Sequence, residues 1–113
     1  MTAATVELHE HPGVAVVRVG SGVTPALRET LFDAVDQHRH VVVDLGAVST
    51  LDDVGLGLLV RAHQRARRRD GIVCFAGPSR FVITVLHTMH VDGLFPVFDD
   101  CDEALAWLKD EKV

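Results

Sequence analysis

Cysteine is scarce in this chain. Cys74 and Cys101, the only two among 113 residues, cannot make a disulfide framework, and in an intracellular domain such residues are expected as buried free thiols. Long apolar runs are also missing: none approaches the roughly 18–20 residues needed to cross a bilayer. The opening Met1-Thr2-Ala3-Ala4-Thr5 lacks the basic and apolar regions of a signal peptide, so a cytoplasmic location is expected. Positive charge is in the minority, and the net charge of −5 argues against general binding to nucleic acid or anionic membranes. There is no Gly-rich phosphate loop, because Gly55-Leu56-Gly57 lacks the third glycine and the Lys-Ser/Thr ending that nucleotide loops use. There is no Gly-x-Ser-x-Gly nucleophile elbow, and Ser21 and Ser79 have no visible His and Asp partners. Repeats, linkers and low-complexity segments are absent too. These absences leave no argument for an enzyme and no cofactor.

What is present is a globular pattern. The hydrophobic fraction of 48% suits a folded domain, and 113 residues are expected to form one domain spanning 1–113. Thr5 to Glu10 alternates in period two, as a half-exposed strand does. His11-Pro12-Gly13 reads as a turn, and Val14 to Val19 as a more buried, antiparallel second strand. Thr24-Pro25 is a good helix start, followed by Leu27, Leu31, Ala34 and Val35 on one helical face. Val41 to Leu45 is too short an apolar run for a helix and reads as a strand buried on both faces. A helix from about Val54 to Arg69 follows, burying Leu58, Leu59, Ala62 and Ala66 and stopped by Asp70-Gly71 with Gly71 in a left-handed cap. Ile72 to Ala76 is another buried strand. Ser79 caps a third helix with Val82, Val85, Leu86 and Met89 inward. Phe95 to Phe98 is a short edge strand, Asp100 and Glu103 resemble a capping box, and a last helix buries Cys101, Ala104, Leu105 and Leu108. Strands alternating with helices define an α/β domain with a largely parallel sheet.

The most informative stretch runs from Val41 to Leu59. A strand leads through a tight connection to Asp52 and Asp53, which stand beside first-turn amides lacking helical partners. Gly55 and Gly57 leave the helix start nearly bare, open to close approach by another backbone or a partner. Other clusters have ordinary readings beside the functional one. Asp44, Asp52 and Asp53 can be imagined around Mg²⁺, yet strand end, cap and loop roles suffice for them. His9-x-His11 and His38-x-His40 have no carboxylate or cysteine at ligand spacing. No metal is expected. Arg65, Arg67, Arg68 and Arg69 form the one basic run, and a helix C-terminus favours cations without any nucleic acid.

Val42-Val43-Asp44-Leu45 followed by Leu51-Asp52-Asp53-Val54-Gly55-Leu56-Gly57-Leu58-Leu59 resembles the signature of STAS domains, the anti-sigma-factor antagonists. The likeness continues through Gly77-Pro78-Ser79, Val85-Leu86, Val91 to Val97 and Glu103-Ala104-Leu105. It implies a small mixed, mostly parallel sheet of about five strands backed by about four helices. It implies a non-catalytic module that binds an anti-sigma factor, a kinase-like partner, through Ser49, Thr50, Leu51, Asp52, Asp53, Val54, Gly55 and Gly57. In that family the kinase phosphorylates a Ser at the helix start; Asp53 occupies that position here. The segment Gly20 to Pro25 is shorter than the family's usual connection. Two alternatives stay open at this point: a STAS subunit of a lipid or solute transport complex, and an Mg²⁺-dependent domain in which Asp52 or Asp53 accepts a phosphoryl group.

Overall fold

The computed structural model describes residues 6–11, 13–20, 23, 27–91 and 93–110, with backbone alone for 6–11 and 110. The expected Thr24 cap and Pro25 start, Asp92 and the side chains of His9 and His11 lie outside the described residues. The element order is β1 (Val6–His11), β2 (Val14–Val19), α1 (Leu27–Gln37), β3 (His40–Asp44), α2 (Asp53–Arg67), β4 (Ile72–Ala76), α3 (Arg80–Thr88), β5 (Val97–Phe98) and α4 (Cys101–Asp110). One sheet holds the strands in the order β1-β2-β3-β4-β5. β1 is antiparallel to β2, whereas β2 to β5 run parallel. The expected α/β class and mostly parallel sheet are therefore seen.

Apolar runs form the central strands because both faces of the sheet are covered. Val41 and Val43 of β3 and Val73 and Phe75 of β4 enter the larger core, with Leu27 and Leu31 of α1, Leu59 and Ala62 of α2, and Val82 and Leu86 of α3. The alternate residues Val42, Cys74 and Ala76 face the smaller core, where Ala104 and Leu108 of α4 cover them. The period of two thus sorts each strand between two layers. Three helices pack on one face and the fourth on the other. Cys74 and Cys101 are free thiols on the α4 side. Burial first, then the neighbouring thiol, pushes Cys74 up to about 12, so it stays protonated.

Three local expectations need correction. Gly71 does not take the left-handed conformation; Asp70 does, at φ 60°. Gly71 donates to the Ala66 carbonyl at 2.8 Å and Asp70 to Arg67 at 3.2 Å, the paired bonds of a Schellman closure. Glycine is needed at 71 for another reason, since a Cβ there would lie 1.9 Å from the Arg39 carbonyl oxygen. Met89 is 44% exposed because α3 ends at Thr88 and the turn carries Met89 off the buried face. The final strand is only Val97–Phe98. Phe95 is instead a core plug, stacked on Phe75 at 4.3 Å. Pro96 accepts from the Phe75 amide at 2.9 Å and, having no N–H to give a further strand, suits the sheet edge.

Candidate partner-docking site

The loop between β3 and α2 is built to be rigid below and bare above. Leu45, Val48 and Leu51 are buried, anchoring the loop to the larger core. The Leu45 amide donates to Ala76 at 2.9 Å and the Val48 amide to Leu45 at 3.0 Å. Gly46, Ala47, Ser49 and Thr50 remain exposed between those anchors. Asp52 then takes extended backbone at φ −106° and ψ −177°, and its side chain accepts from the Gly55 amide at 2.9 Å. Asp52 is the N-cap. Asp53 is the first helical residue, so of the two adjacent aspartates Asp52 holds the cap role. An extended residue before the helix can turn its carboxylate back onto the first-turn amides, whereas a helical one points its side chain outward. Asp53 is exposed and complements the positive end of the helix dipole by position alone.

The two glycines differ. A Cβ on Gly55 would stand 2.7 Å from the Val23 carbonyl oxygen and 3.3 Å from Leu51 Cδ1. Its bareness lets the protein's own Val23 approach the helix closely. A Cβ on Gly57 would meet nothing within 4 Å, so that position is open. Val54, 58% exposed, is the most exposed large apolar side chain named among the described residues. The structure therefore brings Ser49, Thr50, Asp52, Asp53, Val54 and Gly57 to one accessible helix start, while Leu51 and Gly55 turn inward beneath it. The family resemblance already places Val54 among the expected docking residues, and the structure adds its exposure. Val54 lies one turn before the buried Leu58, so the 3.6-residue period alone would set it near the buried face.

The other candidate clusters resolve into structural roles. Asp44 does not join Asp52 and Asp53. Its carboxylate accepts from Arg18 Nε at 3.1 Å, the Gly46 amide at 2.9 Å and Cys101 Sγ at 3.4 Å. Burial raises its pKa, but these donors outweigh burial and hold it below the ordinary value. Among the described residues no three His, Cys, Asp or Glu side chains are placed to hold a metal ion. His38 Nδ1 lies 3.2 Å from the Ala34 carbonyl oxygen, and His40 Nδ1 accepts from the Ile72 amide at 3.1 Å, tying β3 to the start of β4. Ser79 caps α3, accepting from the Val82 amide at 3.2 Å. In α4, Asp100 accepts from the Glu103 amide at 2.9 Å, but Glu103 reaches back to the Asp99 amide at 3.0 Å, one residue beyond the expected box. Among the described residues no helix is long and apolar enough to cross a membrane.

This arrangement has clear relatives. The STAS domain family model matches residues 5–104, and the chain belongs to that family. It is 29% identical over 116 aligned positions to the anti-sigma-F factor antagonist RsfB of Mycobacterium tuberculosis, covering 96% of this chain and 93% of that protein. The crystal structure of an anti-sigma factor antagonist from Mycobacterium paratuberculosis superposes with a TM-score of 0.84 at 27% identity, over 96% of each chain. The anti-sigma factor antagonist SpoIIAA in its unphosphorylated form shares the fold at a TM-score of 0.81 and 16% identity, over 94% of this chain and 97% of that one.

Proposed function

We propose that residues 1–113 act as a single non-catalytic, cytoplasmic interaction module of the anti-sigma-factor antagonist kind, docking a kinase-like anti-sigma factor with the start of α2. The observation that carries this reading is the exposed, capped helix start itself. Asp53 and Val54 project from the first turn of α2, behind a loop that Val48 and Leu51 pin to the core, and Gly57 leaves room beside them. An exposed apolar residue beside a fixed negative charge gives a partner both burial and register. The relatives named as anti-sigma-factor antagonists supply the partner class.

Asp53 stands where those antagonists are expected to carry the phosphorylated Ser. Its charge is permanent, smaller than the −1.5 to −2 of a phosphate and with one fewer oxygen, so it mimics the phosphorylated form in part. Because Asp52 is the cap, Asp53 can be varied with little effect on folding, about 0.3–1 kcal/mol from the dipole. The test is calorimetric titration of wild type, Asp53→Ser and Asp53→Ala against anti-sigma factors of the same genome, with melting curves alongside. The expected result is nearly equal melting temperatures, an altered affinity for both variants, and ATP-dependent phosphorylation of Asp53→Ser alone. Equal affinities for all three would remove Asp53 from the interface.

A further inference from the structure

A second charged surface lies along the other half of α2. Arg28 and Phe32 of α1 and Arg61, Gln64, Arg65 and Arg68 on or just after α2 line a groove of about 250 Å³. Arg65 is already engaged, donating to both oxygens of Asp36 at 2.7 and 2.8 Å. Its guanidinium lies 5.1 Å from the Phe32 ring centroid, and that of Arg28 lies 5.6 Å away. Among the described residues no carboxylate pairs with Arg28, Arg61 or Arg68. Three unmatched guanidiniums thus converge on one concavity in a chain whose net charge is −5.

We propose that this groove receives an acidic segment of a partner protein. Guanidinium forks match carboxylates bidentately, which a compact ammonium does not. Phe32 supplies an apolar floor between them. Arg61 and Arg68 are seven residues apart, about 10 Å along the helix axis, the reach of about three extended residues at roughly 3.3 Å each. A short acidic segment senses mainly the groove, because charges beyond about 8–10 Å are screened. A long polyanion such as RNA would extend past the groove and meet a chain whose net charge is −5. From Asp53 the groove begins about 12 Å down α2, so an occupant leaves the helix start free. The inference does not depend on the anti-sigma reading.

The test uses the whole chain and a fluorescein-labelled hexaglutamate peptide, read by anisotropy at low and physiological salt, with a labelled RNA oligonucleotide in parallel. The expected result is saturable peptide binding that falls about tenfold or more in Arg61→Glu/Arg68→Glu. Arg80→Glu, a single charge reversal at an exposed residue of α3 outside the groove, should bind the peptide nearly as wild type does. Circular dichroism confirms folding, and Arg61→Gln/Arg68→Gln replaces the pair if the charge reversals do not fold. No peptide binding by wild type would overturn the proposal. So would an equal loss in Arg80→Glu, or tighter binding of the RNA than of the peptide.

Discussion

The two ends of α2 are opposite in charge, in closure and in freedom. At the start, a side chain closes the helix, the surface is acidic, and Val54 stands in solvent. At the finish, the backbone closes the helix through Ala66 and Arg67, and the surface carries Arg65, Arg67, Arg68 and Arg69. The dipole explains the sign at each end, since carboxylates suit an N-terminus and cations a C-terminus. Charge sign alone is therefore no evidence of function at either end. What exceeds that structural need is informative: a second carboxylate beyond the cap and an exposed valine at one end, and guanidiniums without carboxylate partners toward the other.

Glycine substitutions should break the comparison most sharply. Gly71→Ala forces a Cβ to 1.9 Å from the Arg39 carbonyl, backbone that cannot swing aside. A loss of about 3 kcal/mol or more is expected, seen as a melting temperature lower by roughly 10 °C or more. Gly57→Ala has the opposite sign. Nothing lies within 4 Å of its new Cβ, so removing a helical glycine should add about 0.5–1 kcal/mol. The same change should weaken partner binding if bareness at 57 serves docking. A Gly57→Ala protein that is both more stable and fully active would show that the open position has no role.

A smaller effect separates the adjacent aspartates. Asp52→Ala removes the acceptor of the Gly55 amide and should cost about 1 kcal/mol. Asp53→Ala removes only an exposed charge and should cost less. Denaturant midpoints for the two variants decide the order; a greater loss for Asp53→Ala would give the cap role to Asp53 instead of Asp52.

These pairs also mark how far sequence could be read. Val14–Val19 and Ile72–Ala76 were legible to the residue, because strands covered on both faces must be short apolar runs. The inward faces of α1 and α2 were legible from the 3.6-residue period. The identity of the cap was not, because Asp52 and Asp53 are equally good capping residues and only backbone dihedrals distinguish them. The reason for Gly71 was hidden as well, since the obstacle, Arg39, lies 32 residues away in the chain. Phe95 and Gly55 illustrate the same limit: each is decided by a distant neighbour, Phe75 or Val23. The candidate site was found through its likeness to a family, and the geometry then divided its residues into those facing out and those supporting them.

The smallest effect concerns His63, in the C-terminal half of α2. Its ring meets Phe95 edge-on, with centroids 5.2 Å apart. Burial first, and then the charge of Arg67, lower its pKa below the ordinary 6.5. As pH falls, the unfolded chain therefore takes up this proton before the folded one does. Stability from the neutral imidazole is complete above the unfolded pKa near 6.5 and is lost as pH drops through the folded value. Melting temperatures between pH 7.5 and 5.5, a window chosen above the ordinary carboxylate range of about 3.9–4.3, should fall less steeply in His63→Phe than in wild type. Phe keeps an aromatic ring against Phe95 but cannot be protonated. Identical slopes for the two proteins would show that the Phe95 contact is insensitive to charge, and that this end of α2 owes nothing to a neutral His63.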